Sequence, residues 1–447
     1  MKRNLLTLVL VLATLSGAAQ KRKKSKAPIS PLVSAVTVAR VVTALAADDM
    51  QGRGTGQPGG LKAAQFLAAE FQRIGLQPLP GATGFEQVFP VYETAVGAMS
   101  ASLNGTAVPA AQLLAFTTQS QLEWTNQTPA LEILTIGPDQ KPMEFARRIT
   151  RPSQNLLVLL DPAHAEAFKN LRNFMLQPRM RTSLAGNGFS SVVLMTPAAS
   201  KDFKFQVRAT TNQRTVELRN VVGMLPGRDT ARSREKVVFS GHYDHLGIVK
   251  PLEGDSIANG ADDDASGTTA VVALAEYFKQ KNDNARPLIF TAFAAEEVGG
   301  FGAQHFSKQL DPNQVVAMFN IEMIGKIAKF GPNTAFITGF DKSDFGKLLQ
   351  ANLQGSRFRF EPDPYPAQNL FYRSDNATLA KLGVPAHTIS SDQIPDDKLY
   401  HTVNDEVESL NLPNMTAIIQ AIAQSASGIV AGQQTPTRIA LEAANGK

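Results

Sequence analysis

The stretch KVVFSGHYDHLG, residues 236–247, runs from an apolar strand pattern into a polar loop that opens at His242. Val237, Val238 and Phe239 in succession suit a strand buried on both faces, the kind found in parallel sheets covered by helices. The same texture returns in VELRNVVGML (216–225), ARPLIFTAFAAEE (285–297), NQVVAMFNIEMIG (313–325), NTAFITG (333–339) and VPAHTIS (384–390). Between and after these runs, TTAVVALAEYFKQ (268–280), SDFGKLLQANLQ (343–354) and NMTAIIQAIAQSASGIV (414–430) read as helices. The alternation predicts an α/β fold with a mostly parallel central sheet and helices on both faces. Such sheets carry their chemistry beyond the carboxyl ends of the strands, which is where His242, Glu296 and Glu322 fall.

The chain has 447 residues, 43% hydrophobic and 19% charged, enough for one large domain or for one domain with a smaller insertion. It has no cysteine, which removes disulfides, thiolate metal sites and cysteine nucleophiles; any metal must be held by imidazole and carboxylate. MKRNLLTLVLVLATLSGAAQ at the amino terminus has a basic start, a short apolar run and small residues at its end. That layout predicts a signal peptide over 1–19, an exported protein, periplasmic or secreted, and no stable membrane span after cleavage. The formal charge of +5 includes Lys2 and Arg3. Much of the rest lies in KRKKSK (21–26), which reads as part of a basic, extended lead over 20–37.

Residues 38–99 form the first part of the main domain in this reading. VTVARVVTALAADDM (36–50) begins an amphipathic pattern, and LKAAQFLAAEFQRIGL (61–76) puts Ala63, Phe66, Leu67, Phe71 and Ile74 on one helical face, with Gly75 as the stop. From 100 to 215 the texture changes. LEILTI (131–136), NLLVLL (155–160) and SSVVLM (190–195) predict an inserted β-containing domain with its own sheet. Residues 216–431 carry the main part of the larger domain, and 432–447 read as a flexible tail.

Five short segments carry the chemistry. His242 at a strand end offers an imidazole nitrogen, with Asp244 placed to accept the opposite ring proton; His245 is equally available, and the order of residues does not say which ring turns inward. NGADDDASG (259–267) sets three aspartates together at a helix entrance, where their repulsion calls for water or a cation. Which of the three turns inward stays open on chemistry alone. FAAEEVGG (293–300) pairs Glu296 with Glu297, so that one can ligate while the other takes a proton from a metal-activated water. Glu322 in NIEMIGK (320–326) and His401 in YHTVNDE (400–406) complete a set of imidazoles and carboxylates at the ends of successive elements. A surface ion pair or a satisfied core histidine accounts for each station singly; a two-metal centre accounts for all of them.

The ordered set SGHYDHLG, NGADDDASG, FAAEEVGG, NIEMIGK and YHTVNDE resembles the M28 metallopeptidase family, the zinc aminopeptidase group with a bacterial leucyl aminopeptidase-like catalytic domain. NVVGMLPG (220–227) and DDMQGRGTGQPGG (48–60) extend the likeness. The resemblance implies two zinc ions, one held by His242 and Glu322, the other by Glu297 and His401, with Asp263 bridging. It also implies Asp244 as the residue orienting His242, Glu296 as general acid/base, and a cis peptide between Asp263 and Asp264. Two departures stand out. The family usually has aspartate where this chain has Glu322, a methylene that adds about 1.5 Å of reach. The loop YRSDNATLAKLGVPA (372–386) has Asn376 where histidine is frequent in SDH, leaving Ser374, Asp375 and Asn376 as candidates for the substrate pocket. Many relatives insert a protease-associated domain where residues 100–215 stand here.

The implied reaction is hydrolysis of amino-terminal peptide bonds of peptide or protein substrates with a free amino terminus. A dipeptidase or carboxypeptidase with the same centre and a noncatalytic peptide-binding relative remain as alternatives. A nucleic-acid partner is not expected, because aromatic and basic residues do not interleave near the metal motifs.

Overall fold

A computed structural model describes residues 32–185, 188–197 and 202–441. The segment 1–19 read as a signal peptide and the basic run at 21–26 lie outside the described residues.

Helix α1 (Ala35–Leu45) starts three residues earlier than the 20–37 lead allowed. The Ser34 side chain accepts a hydrogen bond from the Thr37 amide, closing the amino end, while Val38, Val41, Val42 and Leu45 are buried. Helix α2 (Pro58–Ile74) has proline in its first turn and buries Ala63, Leu67, Phe71 and Ile74, with Phe66 partly covered. Gly75, at φ 79°, ends it in the left-handed conformation that glycine adopts without cost.

Two long strands follow the insertion boundaries rather than stopping at them. Strand β1 (Glu86–Leu103) pairs antiparallel with β6 (Phe205–Leu225), from Glu86 opposite Val221 to Leu103 opposite Phe205, with one irregularity between Val96 and Met99. The boundaries expected at 99/100 and 215/216 therefore fall inside continuous strands. Between them lie β2 (Leu113–Phe116), β3 (Leu131–Ile136), β4 (Asn155–Leu160), α3 (Ala165–Met175) and β5 (Ser191–Met195). These four strands form a separate sheet in the order β2-β5-β4-β3. It is packed on one side by Trp124, Leu157, Val192 and Val207 and on the other by Ile149, Val158, Phe168 and Val193. The insertion thus has its own core.

The main sheet continues with β7 (Lys236–His242), β8 (Leu288–Phe293), β9 (Val315–Ile321), β10 (Thr334–Ile337), β11 (Arg359–Pro362) and β12 (Ala386–Ser390), in the order β11-β10-β12-β9-β7-β8-β6-β1. The four central strands, β12, β9, β7 and β8, are mutually parallel, and antiparallel pairing appears toward both flanks. Alternation of side chains explains the two layers of helices. Val237 and Phe239 face a core shared with α1, α2, the helix Gly267–Lys281 and the helix Leu412–Ser425. Val238, Ile289, Phe293 and Met318 face the opposite core, completed by Ala303, Phe306 and Leu379.

Residues 432–441 are not the free tail that the sequence pattern predicts. The buried guanidinium of Arg286 donates to the Gln434 carbonyl and the Thr435 hydroxyl, each at 2.6 Å, and Ile439 is buried against the main body. No helix among the described residues is long and apolar enough to cross a membrane.

Candidate metal centre

The parallel strands deliver their ends to one place. His242 is the last residue of β7, Glu322 follows β9 directly, and Glu296 and Glu297 stand three and four residues past β8. The turn Ala261–Ser266 leads into the helix Gly267–Lys281 beneath them. That helix can approach only because residue 267 is glycine: a Cβ there would lie 2.1 Å from the Ile321 carbonyl oxygen. Ala295, Met323 and His401, each at or beside a site residue, have φ of 63°, 52° and 59°, a conformation that residues with side chains hold only under tertiary restraint.

The three adjacent aspartates divide their work. Asp264 accepts from the amides of His242 (3.1 Å), Gly267 (2.9 Å) and Met323 (3.0 Å), tying the β7 and β9 loops to the helix entrance. Asp262 accepts from the Gly325 amide at 2.7 Å and from the Ser266 hydroxyl. Asp263 alone turns into the centre, across a cis peptide to Asp264. Its Oδ1 lies 3.4 Å from His242 Nε2, and its Oδ2 lies 3.2 Å from His401 Nε2 and 3.7 Å from His245 Nδ1. The two oxygens of one carboxylate thus face two different groups of donors. Glu297 closes the second group, with Oε2 3.2 Å from His401 Nε2 and Oε1 2.7 Å from His245 Nδ1. The His401 ring is held by stacking on Tyr400, centroids 3.9 Å apart.

Both imidazoles of HYDH turn inward, which resolves the ambiguity between them. Asp244 differs from expectation. His242 Nδ1 meets the Asp244 main-chain carbonyl at 3.1 Å, whereas the carboxylate stands 3.9 Å away. That carboxylate instead accepts from the Glu296 amide at 3.1 Å and the Thr55 hydroxyl at 2.7 Å. A main-chain carbonyl only accepts, so Nδ1 carries a proton and Nε2 is the nitrogen turned toward Asp263.

Of the pocket candidates, Ser374 and Asp375 reach open space and Asn376 does not. Ser374 lines a cavity of about 90 Å³ bounded by Asp263, Glu296, Glu297 and Glu322. Asp375, with Glu296, lines an adjoining cavity of about 490 Å³. Asn376 is wholly buried, donating to the Phe371 and Ala386 carbonyls at 3.0 and 3.2 Å and accepting from the Thr388 hydroxyl at 2.9 Å. It anchors the loop instead of meeting substrate.

Electrostatically the centre is short of positive charge. Burial and the neighbouring carboxylates of Glu322, Asp375 and Glu297 push Glu296 well above the usual carboxylate range, although His242 opposes them. Burial raises Glu322 as well. Burial pulls His242 down, but Asp263, Asp264 and Glu296 more than offset this and hold it well above an ordinary histidine. His401 is likewise raised, to about 10, because contacts to Asp263 and Glu297 outweigh its burial. Asp263 lies well below its usual range: burial opposes the shift, and His242 and His401 produce it. His242 Nε2, His245 Nε2 and Glu322 Oε2 are buried without hydrogen-bond partners, and donor atoms of His245, Asp263 and Glu297 lie within 4.8 Å of one another. Imidazoles this close to carboxylates call for a positive charge between them, supplied by a proton or by a metal cation, and imidazole nitrogen with carboxylate oxygen is a donor set suited to zinc.

Sequence reasoning passed over three residues that frame this centre. Asp405, four residues after His401, accepts from the amides of Asp262 and Asp263 at 3.0–3.1 Å. Arg53 is fully buried and donates to the carbonyls of Leu45 (2.8 Å), Tyr243 (2.6 Å), Asn259 (2.5 Å) and Gly260 (2.8 Å). Asn220 on β6 supports the Glu296 loop, accepting from the Ala294 amide at 3.1 Å and donating to the Gly302 carbonyl at 3.0 Å.

Comparison with known proteins places the chain among peptidases. Residues 220–426 match a sequence family described as Peptidase family M28. Leucine aminopeptidase 1 of Pyrenophora tritici-repentis is 28% identical over 210 residues, which are 44% of this chain and 51% of that protein. The chain thus spans about half the length of the curated relatives it matches. Two solved structures share the fold. A zinc aminopeptidase from Bacillus subtilis superposes with a TM-score of 0.55 at 16% identity, over 91% of this chain and 97% of that one. An aminopeptidase from Aneurinibacillus sp. strain AM-1 gives 0.54 at 17% identity, over 92% and 97%.

Proposed function

We propose, from the premise that residues 220–426 match peptidase family M28, that the protein is a zinc aminopeptidase with two metal ions, acting on peptides with a free amino terminus. The observation that carries this reading is Asp263, whose two carboxylate oxygens face His242 on one side and His401 with Glu297 on the other. In this assignment His242 and Glu322 hold one ion, Glu297 and His401 hold the other, and Asp263 serves both. Glu322, one methylene longer than the usual aspartate, lines the same cavity as Asp263, Glu296 and Glu297.

Zinc, when bound, supplies positive charge that polarises a carbonyl and acidifies water. The chain supplies the rest. Glu296 accepts the proton of the attacking water and returns it to the departing amine, a task for a carboxyl whose proton affinity burial and neighbouring carboxylates raise. Asp244 holds Glu296 in place through its amide and, through its own carbonyl, keeps the His242 lone pair on Nε2. Asp264 and Asp405 fix the turn that presents Asp263. The apolar run at the amino terminus supports export, to the periplasm or outside the cell.

The zinc-loaded protein should release amino-terminal residues from short peptides and leave amino-terminally blocked peptides intact. Glu296→Gln should retain both zinc ions by metal counting and lose about 10²- to 10⁴-fold in kcat. Undiminished turnover in that variant ends the proton-transfer assignment, and cleavage of blocked peptides ends the chain-end assignment.

A further inference from the structure

The cavity beside the metal ligands has a second, differently built end. Met323, Phe336, Leu370 and Ile394 give it apolar walls, and Asp392 lies among its lining residues. Asp392 is 2% exposed, and neither of its carboxylate oxygens has a hydrogen-bond partner. Donor atoms of Asp262, Asp392 and Asp397 lie within 4.8 Å of one another, so the closest neighbours of this carboxylate are acceptors like itself. One cation is already present in the cluster. Lys326 Nζ lies 2.5 Å from Asp397 and 3.4 Å from Asp262, and it makes no ion pair with Asp392. Three carboxylates therefore share a single ammonium. Behind the wall, Tyr365 packs edge-on against Phe336, and its buried hydroxyl is also without a hydrogen-bond partner. Burial, reinforced by Asp262 and Asp397, pushes Asp392 up to about 8. Arg373, a cationic side chain that also lines this cavity, is exposed at its rim and lies 3.4 Å from Gln368.

We propose, resting on the aminopeptidase reading, that this cavity receives the side chain of the substrate's amino-terminal residue and that Asp392 selects a basic one, lysine or arginine. The apolar walls cover the aliphatic stem of such a side chain, while its cationic end supplies the donor that Asp392 lacks. A leucine-sized side chain would fill the same walls but leave the carboxylate buried and unpaired, which a polar-ended pocket penalises. A free metal ion is a poorer occupant, because the Lys326 ammonium stands within the cluster.

The test compares lysyl, arginyl, norleucyl and leucyl 4-nitroanilides on the zinc-loaded enzyme, with norleucine matching the stem of lysine without its charge. The wild type should favour lysyl over norleucyl by about tenfold or more in kcat/KM, and Asp392→Asn should lower that ratio at least about tenfold. Calorimetry with free lysine and free norleucine on the zinc-loaded wild type reads the same selection without turnover and without a variant. Tighter lysine binding supports the assignment. Equal or tighter norleucine binding overturns it, as does a ratio unchanged by Asp392→Asn. If no aminoacyl substrate is cleaved, the aminopeptidase reading fails, while the calorimetric comparison still decides what the pocket selects.

Discussion

Replacing Arg53 by methionine tests whether the metal loops are held from behind by one buried guanidinium. Four main-chain carbonyls, from the end of α1, the loop after β7 and the entry to the aspartate turn, accept from Arg53 at 2.5–2.8 Å. Methionine fills similar space and removes every donor. Each buried carbonyl left without a partner costs about 1–3 kcal/mol. The Gly260 carbonyl keeps the Ala265 amide at 3.2 Å, so three carbonyls are orphaned, and because they share one donor group the costs do not add in full. The low end of the range, about 3 kcal/mol, is the expected loss, a large fraction of the 5–15 kcal/mol typical of a folded domain. Arg53→Lys keeps a positive charge but has too narrow a reach for four carbonyls, and it should lose about half as much. Urea unfolding of the zinc-free protein measures both variants, and zinc titration of the folded fraction measures the effect on the site. If Arg53→Met unfolds within about 1 kcal/mol of the wild type and binds zinc equally tightly, the loops are positioned by something else.

His387 offers a pH-dependent measurement away from the metal ligands. Burial pushes it down to about 4, with Nδ1 2.9 Å from the Thr338 carbonyl and Nε2 2.7 Å from the Ser343 hydroxyl. An unfolded histidine titrates near 6.5, so the unfolded chain gains a proton first as pH falls. The stability that neutral His387 contributes is complete above about 6.5 and declines toward pH 4, by up to roughly 3 kcal/mol. His387→Gln should flatten the urea midpoint between pH 6.5 and 4, and an unchanged slope would contradict the burial argument. The mature amino terminus gives a separate check: sequencing of the exported protein should start near residue 20, and a chain beginning at Met1 rules out cleavage.

The central strands and their chemistry were legible because both signals are properties of residue type. Runs such as VVF and LIF suit strands with both faces covered, and histidine, aspartate and glutamate at their ends mark the loops where backbone leaves the sheet. What could not be read acts through the main chain. Arg53 and Asp405 work on carbonyls and amides that look alike at every position; an arginine set among Gly52, Gly54 and Gly56 is the one hint the sequence offers. The two jobs of Asp244 were exchanged for the same reason, since its carbonyl took the contact assigned to its carboxylate. Asn376 stands beside two cavity-lining residues, and only the chain path shows that its amide is needed by Phe371 and Ala386. The domain boundaries moved because strands end where their partners end, and β1 and β6 are each other's partners well past the change in composition.

The ribbon formed by those two strands has a mechanical meaning. A module joined through a pair of loose tethers tumbles on its own, whereas one carried on hydrogen-bonded rails turns only as the rails twist. The rails here run from the insert's edge, through one register irregularity between Val96 and Met99, to Asn220, which grips the segment bearing Glu296. Stiffness at one end of the molecule is therefore continuous with placement of Glu296 at the other.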